Sequence, residues 1–410
     1  MELYNSFAII IVMAAVFGYV NFRVLKLPNT IGVMIIALVA SLIIVLLGKV
    51  NATWFSHTTN LIKSVDFYTV LMKIMLSFLL FAGSIHINMN QIKKERTTIL
   101  TFSTIGVLIS TFVVASLLYL LCMAFHLQVG FIYCLLFGAL ISPTDPIAVM
   151  GILKQANIPK SLETKISGES LFNDGVAVVV FISIYEIIQA GIQNLSGVDI
   201  LLTFLKEAGG GLLFGVLLGY VGFWALKTID NYKVEVMITL AVVMGGYMLA
   251  DKLHVSGPLA MVVAGIMIGN KGRKLGMSDE TRDYVDKFWE MIDEIMNAIL
   301  FLLIGMEMLV INFTWIYLWL GLISIVIVLL ARLVSVWLPI TVLKYKKTFE
   351  KNAVEILTWG GLRGGISVAL ALSLPKEMFG EMFVTITYII VLFSIIVQGL
   401  TIGKVAKKLV

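Results

Sequence analysis

The chain has 410 residues, 60% of them hydrophobic and only 13% charged, roughly half the charged share of an ordinary soluble domain. Its mean hydropathy is +1.00, and apolar runs of about 20 residues, enough to cross a hydrocarbon core, recur from Phe7 almost to the C-terminus. A soluble enzyme is thereby excluded and an all-α membrane protein expected; the formal charge of +5 would suit nucleic acid, but the placement of the basic residues argues otherwise.

In chain order, hydropathy predicts about 13 transmembrane helices, over 7–23, 31–48, 69–86, 98–125, 129–153, 166–188, 201–226, 234–251, 255–270, 288–310, 315–343, 353–374 and 381–403. The first run lacks a basic segment before it and a small-residue cleavage site after it, so it is expected to be retained as a helix. Basic residues gather in alternate loops. Arg23 and Lys26 follow the first helix, Lys93, Lys94 and Arg96 the third, and Lys154, Lys160 and Lys165 the fifth; the alternation continues to Lys404, Lys407 and Lys408 in the tail. The intervening loops hold only Lys49, Lys63, Lys252 and Lys376. The positive-inside rule then predicts a multi-pass plasma membrane protein with its C-terminus in the cytoplasm and its N-terminus outside. The positive charge is a topology signal with the anionic lipid bilayer as neighbour, and no nucleic acid is implied. Cys122 and Cys134 lie in apolar runs and suggest neither a disulfide framework nor a metal site.

Ionisable groups at membrane depth are costly and face a bundle interior or a water-filled cavity. Asp145 lies in "ISPTDPIAV", Glu169 and Asp174 in "GESLFNDGVAVVVF", Arg332 in "ARLVSVW" and Arg363 in "GGLRGGIS". Glu169 and Asn173 are one helical turn apart, as are Ser170 and Asp174, so all four project from neighbouring strips of the 166–188 helix. Asp174 and Asp145 both fall roughly 12 Å from the cytoplasmic ends of their oppositely directed helices. Pro143 and Pro146 lack N–H groups, which frees the carbonyls of Ala139 and Ser142. A proline kink alone would explain that stretch. With the acids of the next helix at equal depth, a cation site that includes Thr144 and Asp145 is favoured.

A second interruption is expected where Gly360, Gly361, Gly364 and Gly365 surround Arg363. The two broken helices are the fifth and twelfth, each the middle of a triplet, 98–188 and 315–403, and they cross the membrane in opposite directions. Inverted repeats with two broken, crossing helices point to a secondary transporter. "GGGLLFGVLLGYVG" places Gly211, Gly215 and Gly219 at four-residue spacing, for internal packing or a dimer contact. Glu307, near the outer end of its helix, is expected at the interface.

These pieces, with "MLSFLLFAGSIHI", "SGPLAMVVAGIMIGN" and "FLLIGMEM" in the same order, resemble the monovalent cation/proton antiporter family in its asparagine-aspartate type. The resemblance implies a 13-helix fold whose ion-transport core is 98–188 with 315–410, and whose dimerisation and linking helices are 1–97 and 189–314. It also implies a homodimer. The family's ion-binding aspartate falls on Asp174, its paired asparagine on Asn173 and the ligating serine on Ser170. The threonine-aspartate pair of the first broken helix falls on Thr144 and Asp145. The buried glutamate and its arginine partner fall on Glu169 and Arg332, and the arginine of the second broken helix on Arg363. Some members add an acid in the third helix, where this chain has Ala82 and Gly83.

The interior charges are three acids, Asp145, Glu169 and Asp174, against Arg332 and Arg363. The empty core is then one negative charge in excess, and either a proton or a bound Na⁺ on Asp174 neutralises it. Only loaded forms cross a low-dielectric barrier readily, so one-for-one, electroneutral exchange is expected. The substrates are Na⁺, with Li⁺ as a second candidate, and H⁺; no cofactor and no enzymatic activity are expected. A K⁺/H⁺ antiporter stays open as the alternative, with a cation channel or an intramembrane aspartyl protease less economical.

Overall fold

The computed structural model describes residues 2–48, 67–156, 158–191, 197–309, 311, 314–345 and 347–409. Lys49 and Lys63 lie outside them. Helices dominate, with no strand among the described residues. In order they are α1 (2–25), α2 (Asn29–Gly48), α3 (Phe67–Ile85), α4 (Met89–Ala124), α5a (Phe131–Ile141), α5b (Ile147–Gln155), α6 (Lys160–Ala190), α7 (Gly197–Lys227), α8 (Tyr232–Lys252), α9 (257–275), α10 (Asp279–Glu307), α11 (Trp315–Leu343), α12a (Ala353–Trp359), α12b (Gly365–Leu372) and α13 (Gly380–Leu409). Every helix expected from hydropathy has one counterpart. Nine helices among the described residues are long and apolar enough to cross a membrane; the rest are the broken α5 and α12, the short α9 and the charged α10.

The ends differ from the hydropathic boundaries for a local reason. The α10 helix starts at Asp279 because Ser278 caps it, its hydroxyl accepting from the Thr281 N–H, and two acids occupy its first turn. The start of α4 is likewise fixed by Asn88, which accepts from Asn90 N–H. Hydropathy marks the apolar length, whereas caps mark where helix begins. Lys160 and Lys165 are accordingly helical rather than loop residues, and Lys165 is buried, at 1% exposure.

The triplet α4–α6 packs on the triplet α11–α13, with α4 along α11, α5b along α13 and α5a against α12b. Among the other helices, α9 lies between α3 and α7, and α10 lies on α2 and α3. The α7 glycine stripe serves this packing: a Cβ at Gly211, Gly215 or Gly219 would run into Ser256, Ala260 or Met267 of the α9 region.

At the basic-loop side an ionic clamp joins the two triplets. Lys165 Nζ lies 2.7 Å from Glu350 Oε2, in the loop after α11, and Ser161 also donates to Glu350. Lys347 donates to Lys94 O at 3.0 Å and lies 3.6 Å from Glu95, both at the start of α4. Burial pushes the Glu350 carboxyl up, but hydrogen bonds from Lys165 and Ser161 outweigh it and hold the group below its ordinary value. Its stabilisation is therefore complete at neutral pH and is lost as pH falls through that lowered value. Glu350→Gln removes the closer of the two acids beside a buried lysine and leaves it Glu95 at 4.0 Å, at a cost of about 3 kcal/mol. Thermal unfolding in detergent should show a lower midpoint for the variant at neutral pH, with the gap to the parent protein closing on acidification.

Candidate ion-binding site

The two interruptions, 142–146 and 360–364, cross each other. At this depth each freed backbone group needs a protein or water partner. Ala139 O accepts a 3.4 Å bond from Ser142 N–H, and the carbonyls of Ser142 and Pro143 both accept from the Arg363 guanidinium. Asp145 N–H donates to Leu362 O at 2.8 Å, so the two breaks are bonded backbone to backbone. The α12 break is closed from α13: Arg363 N–H donates to Ser394 Oγ at 2.9 Å, Ser394 Oγ donates to Gln398 Oε1 at 2.7 Å, and Gln398 Nε2 donates to Trp359 O at 3.0 Å. A Cβ at Gly364 would collide with the Asp145 carboxylate, so this contact requires glycine.

Sequence reasoning did not find Ser394 and Gln398. Their signal was two polar residues one turn apart in the apolar 381–403 run. The Arg363 guanidinium, expected as an interior charge, donates to carbonyls of the α5 break. The reason is position: the α5a C-terminus aims unpaired carbonyls at it. The Ser142 carbonyl is thus occupied by an arginine and is not open to a cation.

Glu169 and Arg332 form a bidentate pair, with Nη2 at 3.0 Å from Oε2 and Nη1 bonded to Oε1. Arg332 Nε also donates to Leu357 O at 3.2 Å, which fastens α12a to the pair. Both side chains are buried. Losing one partner of such a pair costs about 3–5 kcal/mol, because the other charge stays behind.

A cavity of about 540 Å³ reaches Asp145, Ser170 and Asp174 at its inner end, and Gln91, Lys160 and Glu163 lie at its mouth beside the basic loops. Thr144 and Asn173 are buried behind this surface. Asn173 Nδ2 donates to Thr144 Oγ1 at 2.7 Å, and Thr144 Oγ1 lies 3.1 Å from Ser170 Oγ. Of the five residues expected around a cation, three therefore line the cavity and two hold Ser170 in place. Past Asp174 the α6 side chains from Val176 to Phe181 are all buried and apolar.

Asp293 of α10 also lines the cavity and was missed, although an acid inside the 288–310 run was its signal. Gly83 borders the cavity, where a Cβ would make an ordinary 3.8 Å contact with Leu171, and Ala82 is buried. Glu307 corrects an expectation: it is 7% exposed, not interfacial, because the last turn of α10 packs on α2, where Ser41 donates to Gly305 O at 3.0 Å.

Arg332→Ala is expected to lower the unfolding midpoint sharply by stranding Glu169, while the double variant with Glu169→Gln loses less than the two single changes added together. A thermal double-mutant cycle in detergent measures this coupling.

The chain matches the family model described as sodium/hydrogen exchanger, transmembrane, over residues 11–408. It is 50% identical over 408 residues to the Na(+)/H(+) antiporter NhaP of Pseudomonas aeruginosa, covering 98% of this chain and 96% of that one. It is 35% identical over 396 residues to the Na(+)/H(+) antiporter NhaH of Halobacillus aidingensis, covering 94% and 93%. Its fold matches the solved structure of the sodium proton antiporter MjNhaP1 from Methanocaldococcus jannaschii with a TM-score of 0.76 at 20% identity, over 100% of this chain and 99% of that one. With an all-helical fold, two crossing broken helices and a match along nearly its whole length, the chain belongs to the transmembrane sodium/hydrogen exchanger family.

Proposed function

We propose that the chain exchanges Na⁺, and Li⁺ in its place, for H⁺ one for one by alternating access. The observation that carries this reading is the meeting of two carboxylates, Asp145 and Asp174, with the Ser170 hydroxyl at the inner end of the cavity. These are hard oxygen ligands suited to a small alkali cation. Asp174 carries either the proton or the cation. Asp145 adds negative charge on the facing helix, and Ser170 supplies a neutral oxygen. Asn173 and Thr144 keep that oxygen in place through their hydrogen bonds.

The moving body in this reading is 98–188 with 315–410, and 1–97 with 189–314 is the stationary one, through which two copies associate. Within the moving body Glu169 cancels Arg332, so Asp145, Asp174 and Arg363 sum to one negative charge before loading. A proton or a Na⁺ on Asp174 brings that sum to zero, and both loaded forms cross at comparable electrostatic cost. Asp293 does not enter the sum, because α10 belongs to the stationary body. The cavity opens beside the basic loops, which the positive-inside rule assigns to the cytoplasm, so this is the inward-facing form.

Proteoliposomes containing a pH-sensitive dye test the reading. Addition of Na⁺ should drive proton movement, and Asp174→Asn should abolish it. The rate should not change when a K⁺ gradient with valinomycin imposes a membrane potential; a potential-dependent rate would refute one-for-one exchange.

A further inference from the structure

We propose that α10 carries a second cation station, made by the Asp293 carboxylate and the Asn297 side-chain oxygen, through which a monovalent cation passes between the basic-loop side and Asp174. Glu290, Asp293, Glu294 and Asn297 recur at helical spacing and share one face of α10. That face lines a separate cavity of about 550 Å³, whose other walls are the turn before α2 and Gly151 and Ile152 of α5b. Asp293 lines both this cavity and the one that holds Asp145 and Asp174. It is the residue at which the two hollows meet.

Asn297 is 2% exposed, and its Oδ1 has no hydrogen-bond partner. Asn297 stands one turn beyond Asp293, close enough for its side-chain amide nitrogen to face that carboxylate, which leaves the oxygen for something else. A buried oxygen without a donor is destabilising, and a bound cation would remove that cost. Glu294 is occupied by Asn29, which donates to it at 3.3 Å. One carboxylate and one amide oxygen carry a single negative charge, which suits a monovalent cation that keeps part of its water. An anion is disfavoured because three acids, Glu290, Asp293 and Glu294, face Lys26 as the one cationic residue among those lining this cavity.

This inference rests on the antiport reading, and the test separates the two. Everted membrane vesicles from a host without its own antiporters present the basic-loop face to added Na⁺, and proton release is followed by dye fluorescence. Asp293→Asn should raise the apparent KM for Na⁺ about five-fold, as expected for losing one nearby charge at intermediate dielectric. The maximal rate should stay within about two-fold, since chemistry at Asp174 is intact. Asn297→Asp in the Asp293→Asn background should restore the KM by returning the charge one turn away, which a packing role would not do. A KM unchanged in Asp293→Asn, or no rescue by Asn297→Asp, overturns the station. Persistent exchange in Asp174→Asn instead overturns the antiport site itself.

Discussion

Everything at the centre of this protein follows from the need to satisfy broken backbone inside an apolar bundle. Pro143 and Pro146 prevent α5 from closing its own hydrogen bonds, and the glycines around Arg363 let α12 unwind opposite it. Each interruption is completed by groups from elsewhere: the Arg363 guanidinium and Leu362 O for α5, Ser394 and Gln398 for α12. The α5 break takes its partners from the other break, and the α12 break takes its own from α13. The crossing is therefore a single object, although its parts lie more than two hundred residues apart in the chain.

The same geometry sets the electrostatics. A guanidinium at the C-terminal end of α5a meets the negative end of that helix, and the start of α12b abuts Asp145 through Gly364. The Glu169–Arg332 pair is self-contained and adds rigidity without adding net charge. What remains at the cavity is the acid of Asp145, Asp174 and Asp293, and in the proposed function that acid is what draws a small cation in. The apolar run beyond Asp174 offers the same cation nothing.

Much of this was legible in the sequence. The helix order, the two interruptions, the inward acids and the arginines all produce local anomalies in an otherwise apolar text, and hydropathy detects anomalies well. Partner choice was less visible. Arg363 could be seen to be buried, but not that carbonyls of α5 would engage it, because those partners are backbone and carry no residue signature. Asn173 enters through the family resemblance and Thr144 through the proline break and that resemblance, and neither signal carries the hydrogen bonds that link both to Ser170. Asp293 was hidden by its setting: α10 begins as a highly charged helix in water, so one more acid there did not stand out until packing brought it to the cavity wall. Lys165 was misjudged for the opposite reason. A lysine beside a span reads as a topology marker, and packing against Glu350, Glu95 and the Phe349 ring takes this one out of water.

That contact bears on fidelity. If the two triplets move together as a carrier, their mutual register has to survive each cycle, since a carrier that flexed along its own seam would expose its cargo to both sides at once. Lys165 and Glu350 stitch the seam at the end nearest the cavity mouth. In engineering terms the clamp is a stiffener, and what it protects is the tightness of coupling: few ions slip through unmatched for each one exchanged.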